Sequence, residues 1–127
     1  MKSIMVTGQI IGVDKTVLDN IAHNVIIGAF GELALCERAF AANVTVSAGG
    51  SMFVAADSTI YNTQVDNWGS VWLKGTADVL YVHSGGYVHI DYGARVRNMC
   101  VESGGMVKID PTAVVGRVTY EKGAYTL

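Results

Sequence analysis

Residues 83–124, HSGGYVHIDYGARVRNMCVESGGMVKIDPTAVVGRVTYEKGA, carry the pattern S-G-G-x-V-x-I-D followed by A-x-V twice, nineteen residues apart. A fixed self-similar period restricts a chain severely, because each unit must stack on a copy of itself. With Gly31, Gly50, Gly69, Gly86, Gly105 and Ala124 as position zero, the spacings are 19, 19, 17, 19 and 19. Position +2 is then Leu33, Met52, Val71, Val88 and Val107, and position +4 is Leu35, Val54, Leu73, Ile90 and Ile109. Position +10 holds Ala41, Ile60, Val79, Val96 and Val115, and a last column holds Val46, Val65, Val82, Val101 and Tyr120. Every complete repeat is apolar in every column and small at position zero.

Apolar residues at +2 and +4 with polar or mixed neighbours are the alternation of a strand with one buried face. Position +8 (Ala39, Ser58, Ala77, Ala94, Ala113) is small, as an inward corner between crowded layers requires. Position +12 holds Asn43, Asn62, Asn98 and Arg117, with Asn24 in a weaker half-repeat. Asparagine tolerates left-handed backbone, so a column of it marks a turn, and stacked asparagines hydrogen-bond along the column. The seventeen-residue repeat, 69–85, lacks this asparagine, and its shortening is assigned to the same corner.

The expected fold is therefore an all-β, single-domain parallel β-solenoid, right-handed in preference, of about six nineteen-residue rungs over 27–127. Strand spacing makes that a rod of roughly 30 Å. Residues 1–26 are read as an N-terminal cap segment, strand-rich, with a short helix over KTVLDNIAHNVI (15–26) as the alternative.

Composition narrows the function classes. Half of the 127 residues are apolar and only 16% are charged, which excludes a disordered chain. A net charge of −2 without a basic run argues against a nucleic-acid partner. Cys36 and Cys100 make neither a disulfide framework nor a zinc motif. Residues 2–13 lack the apolar run of a signal peptide, and VIIGAFGELALC is too short to span a bilayer, so no membrane insertion is expected. The chain is expected in the cytoplasm if it is complete, and at the cell surface if it is a fragment of an adhesin.

SGGYVHIDYGARV and SGGMVKIDPTAVV resemble the glycine-rich nineteen-residue repeats of diffuse-adherence (AIDA-type) autotransporter passengers, over residues 27–124. The resemblance implies a right-handed parallel β-helix of a surface adhesin, with Ser84 and Ser103 as candidate glycosylation acceptors. IDPTAVVG (109–116) more weakly resembles the hexapeptide repeat of left-handed β-helix acyltransferases, but its six-residue period runs into Glu121, and from Ile90 and Val96 into Glu102. The calcium-binding nonapeptide repeat is excluded, since an apolar residue stands where its third glycine belongs.

If +2 and +4 point inward, +1, +3 and +5 form an outward face on which Phe53, Trp72, Tyr87, His89 and Met106 make one partly aromatic patch. Rigid aromatics left at a surface are typical of interaction sites. A protein or glycan partner, or a sister copy in a homo-oligomer or longer chain, is the favoured occupant; the N-terminal segment is the alternative cover. His89, Asp91 and Asp110 share this face, but with Lys74 they are better explained as a solvated charge ladder than as a metal site. Arg95 and Arg97, flanking Val96 on another face, are a candidate anion contact.

No catalytic residue, metal or cofactor is assigned. No repeat carries the inserted loops that would wall a catalytic pocket, and no nucleophile or phosphate-loop motif is present. The expected function is non-catalytic binding through the aromatic face. A small intracellular, phage-type inhibitor of a macromolecular machine is the first alternative, and an acyltransferase-like protein the second.

Overall fold

The computed structural model describes residues 5–10, 15–18, 21–28, 31–35, 38–47 and 49–126, and side-chain surroundings from residue 24 onward. Each repeat supplies one short and one long strand. The short strands β2 (Lys15–Leu18), β4 (Glu32–Leu35), β6 (Ser51–Val54), β8 (Ser70–Leu73), β10 (Tyr87–Ile90), β12 (Met106–Ile109) and β14 (Tyr125–Thr126) form one sheet in chain order. The long strands β1 (Met5–Ile10), β3 (Ile21–Ile27), β5 (Phe40–Val46), β7 (Thr59–Val65), β9 (Thr76–Val82), β11 (Arg95–Val101) and β13 (Val114–Tyr120) form the other. All pairings are parallel, and each strand lies against its equivalent in the next repeat: Val88 pairs with Val71 and Val107, and Leu35 with Val54. This is a parallel β-solenoid with a sheet on each side of one core. No helix occurs among the described residues, so none is long and apolar enough to cross a membrane. The segment with an alternative helical spacing is occupied by β2 and β3.

The core is the set of inward columns. Leu33, Met52, Val71, Val88 and Val107 are buried from the short sheet, as are Leu35, Val54, Leu73 and Ile90. The long strands are not straight. In β5 the buried residues are Ala41, Val44 and Val46, so the period breaks from two to three at Asn43. Asn43 has φ 56°, as Asn24 (55°) and Asn62 (51°) do at the same place, and this left-handed residue turns the strand through a corner. The break adds a column that strict alternation does not reveal: Val44, Thr63, Leu80 and Met99 are all buried. The asparagine ladder forms where Asn62 donates its amide to Asn43 at 2.7 Å, whereas Asn98 donates to Asp78.

The shortening of repeat 69–85 is elsewhere than the sequence placed it. β6 and β8 pair at an offset of nineteen, while β7 and β9 pair at seventeen, Thr59 with Thr76 and Ile60 with Ala77. The two residues are therefore lost from the turn after the short strand, where Lys74–Gly75 replaces Ala55–Ser58. Gly75 takes the small corner position, since the Arg95 amide bonds its carbonyl as Thr59 bonds Ala39. Ala77, not Val79, is the inward residue of that strand. Val79 occupies the asparagine corner with φ 58°. A turn tolerates deletion more readily than a corner that must keep two runs of strand in register.

The S-G-G motif divides into two jobs. Its first glycine, Gly85 or Gly104, is left-handed (φ 81° and 86°) and links the turns in a file of backbone hydrogen bonds, Gly85 to Gly104 and Gly104 to Gly123. Its second is small because of the layer below: a Cβ on Gly86 would stand 2.4 Å from the Val65 carbonyl oxygen.

Candidate functional site

The outward side of the short-strand sheet carries the expected aromatic column. Ala34, Phe53, Trp72, His89 and Lys108 are direct partners across β4, β6, β8, β10 and β12. Phe53 and Trp72 are each 41% exposed, although both lie within a sheet flanked by buried neighbours. Tyr87 and Met106, half-buried, are paired in the next column over. Its lower part is polar, with the Ser51 and Ser70 hydroxyls 3.3 Å apart.

Trp72 is held on two sides. Its ring centroid is 4.1 Å from that of His89, and its indole N–H donates to Asp91 at 2.8 Å. The Tyr92 amide and then the Trp72 indole hold the Asp91 carboxyl below its ordinary value of 3.8, with smaller help from His89 and Lys74. Asp110 is lowered as well, by the hydroxyl and amide of Thr112. Both carboxylates are thus engaged by neighbours on their own face, and no group of three metal-ligating side chains able to hold an ion occurs among the described residues. Beside the column, Leu35, Phe53, Val54, Ala55, Trp72 and Lys74 line a shallow hollow of about 390 Å³.

Arg95 and Arg97 are exposed on the long-strand sheet and line one depression with Thr76, Val114 and Gly116. Neither forms an ion pair with a described residue. Ser84 and Ser103 are exposed, each beside the left-handed glycine of the repeat above, Gly104 and Gly123. Cys100 is a half-buried free thiol, and Cys36 lies outside the described residues. A polar cluster not expected from the sequence surrounds His83, whose Nδ1 is 2.6 Å from Glu102 and whose Nε2 is 3.3 Å from Gln64, with Asp66 at 3.8 Å.

Trp68 was also absent from the sequence-derived face. It is 77% exposed, more than any other large hydrophobic residue described. It lines a hollow with Asn67, Ser70, Tyr87 and Met106, on the same side of the sheet as the aromatic column. The signal was available: N-W-G at 67–69 stands where three other repeats read A-G-G or S-G-G, the last reads K-G-A and the first reads A-F-G. Gly49, Gly85, Gly104 and Gly123 have φ between 81° and 96° there, and Trp68 has 68°. Left-handed backbone costs an ordinary residue about 1–2 kcal/mol, and for a bulky one it is an outlier.

No family model matches this chain, and no curated protein matches it. Among solved structures it is similar to the TibC-catalysed, hyper-glycosylated TibA55-350 fragment, with a TM-score of 0.60 and 17% identity. The likeness covers 96% of this chain and 56% of that one, so the chain spans little more than half of that fragment. At this identity the likeness carries the architecture: this chain shares the parallel β-solenoid fold with the TibA fragment.

Proposed function

We propose that this solenoid is a non-catalytic binding protein that engages a macromolecular partner or another copy of itself through Phe53, Trp72, Tyr87, His89 and Met106. The observation that carries this reading is the ordered exposure of the aromatic column. Trp72 is braced by His89 and Asp91 while two-fifths of it remains open to solvent. A stacked array on a sheet loses little conformational freedom on binding, which raises the surplus available for affinity. The face is shallow, a shape that suits a broad partner rather than a small substrate that must be enclosed.

The fold likeness to a hyper-glycosylated fragment is compatible with a surface role, and Ser84 and Ser103 would be its acceptors here. Arg95 and Arg97 offer a separate anion contact and are not needed for the aromatic face.

The test is the double variant Phe53→Ala/Trp72→Ala, compared with the parent by light scattering across a concentration series and by binding to a glycan array. Circular dichroism and melting establish that the fold is retained. The variant is expected to lose at least ten-fold in whichever association the parent shows. Unchanged scattering and an unchanged array profile in a folded variant would remove this face as the binding site.

A further inference from the structure

Among the described residues, five turns of the solenoid are equivalent at the residue before position zero, and four of them use glycine in the left-handed region. The fifth uses Trp68, so the chain holds its most exposed indole in a conformation that disfavours it. Strained residues cluster at binding sites and motivate a functional hypothesis, here reinforced by the exposure of the indole. Trp68, beside the edge at which β8 begins, lines a hollow with Ser70, Tyr87 and Met106 and is itself largely exposed. The apolar hollow of Leu35, Phe53, Val54, Ala55, Trp72 and Lys74 lies at the opposite edge, where β6 and β8 end.

A knob and a hollow on opposite edges of one face are exchanged by a two-fold axis lying in that face and bisecting the line between them. Two copies packed face to face about such an axis make both contacts at once, which is the self-complementarity of an isologous dimer. Lys74 on the rim of the hollow adds a cation for the incoming indole. We propose that the aromatic face is a homodimer interface in which Trp68 of each copy enters the Phe53–Ala55–Trp72–Lys74 hollow of the other. This rests on the binding role of the aromatic face and names its occupant.

The size of the contact decides its strength. Four-residue strands at about 3.3 Å per residue, stacked from β4 to β12 at about 4.8 Å, present roughly 300 Å² per copy. Two such faces amount to about 600 Å², the scale of an adventitious contact. The exposed part of each indole adds on the order of 150 Å², which brings the total to about 900 Å². That is the range of weak, concentration-dependent association, and Trp68 supplies the margin.

Sedimentation velocity over a concentration series tests the proposal, on the full chain and on Trp68→Gly, Trp68→Asn and Phe53→Ala/Trp72→Ala. Glycine and asparagine both accept left-handed backbone, so the Trp68 variants are expected to melt no lower than the parent while their dimer dissociation constant rises at least ten-fold. The double variant is expected to lose the dimer too. If both Trp68 variants dimerise like the parent while the double variant does not, the knob is refuted and the aromatic face stands. If the parent stays monomeric at the highest attainable concentration, the second-copy occupant is refuted, and the face is judged on its glycan array result.

Discussion

Val79 offers a measurable consequence of the shortened repeat. It stands at the corner that Asn24, Asn43 and Asn62 occupy in the preceding layers, with φ 58° against their 51–56°. A β-branched residue is the least suited to this region, at a cost of about 1–2 kcal/mol, whereas asparagine enters it readily. Asn62 already donates to Asn43 at 2.7 Å. In Val79→Asn the new amide reaches Asn62 by the same layer offset and adds about 0.5–1 kcal/mol, as a net hydrogen bond does. Against this, Val79 is half-buried and lines one depression with Leu80, Tyr81 and Met99. Losing part of that contact costs on the order of 1 kcal/mol. The balance favours the variant by about 1 kcal/mol. With a slope of roughly 2 kcal/mol per molar urea, that is a rise of about 0.5 M in the unfolding midpoint, followed by circular dichroism. Val79→Gly separates the two terms, because it relieves the backbone without extending the ladder. A lower midpoint for Val79→Asn would mean that apolar packing outweighs corner geometry, and the argument that asparagine marks this corner for backbone reasons would fail.

Thr63 sits in the inward column between Val44 and Leu80, and its buried hydroxyl has no hydrogen-bond partner. Thr63→Val keeps the shape and removes a buried unsatisfied group, so a gain of about 1–2 kcal/mol in urea unfolding is expected, with Thr63→Ser less stable than the parent. Equal midpoints for valine and threonine would show that the hydroxyl is solvated or bonded after all. Asp91 predicts a pH effect. Its folded carboxyl lies below the ordinary 3.8, so the stability it adds is complete above that value and is lost as pH falls through the folded value. The melting difference between the parent and Asp91→Asn should therefore be largest near neutral pH and shrink below about pH 4, with Asp110 giving a parallel loss in both. A difference that does not change with pH would exclude the carboxylate as its source.

The repeat made the architecture legible because stacking is periodic by necessity: like residues lie above like, and four apolar columns with one small position already describe a coil of strands. The asparagine corner was legible for the same reason at Asn24, Asn43 and Asn62, through the backbone preference of one residue type, whereas Asn98 and Arg117 hold the equivalent position without left-handed backbone. The outward column was legible too, since alternation about Val71 and Leu73 leaves only one direction for Trp72. What alternation could not reveal was the column of Val44, Thr63, Leu80 and Met99, because a left-handed residue between Ala41 and Val44 shifts the inward period from two to three. Nor could counting locate the lost pair of residues. A seventeen-residue interval is the same wherever it is cut, and only the pairing of β7 with β9 shows that the turn was shortened and that Ala77 points inward.

The sequence by itself determined the fold class and the face on which side chains vary, because both follow from a period. Tertiary structure decided which of those side chains act together. Trp72 is rigid because Asp91 and His89, nineteen and seventeen residues away, are brought against it by the next layer. Trp68 joins that face because turns as well as strands stack, and a turn residue takes its direction from a dihedral angle that no spacing rule contains.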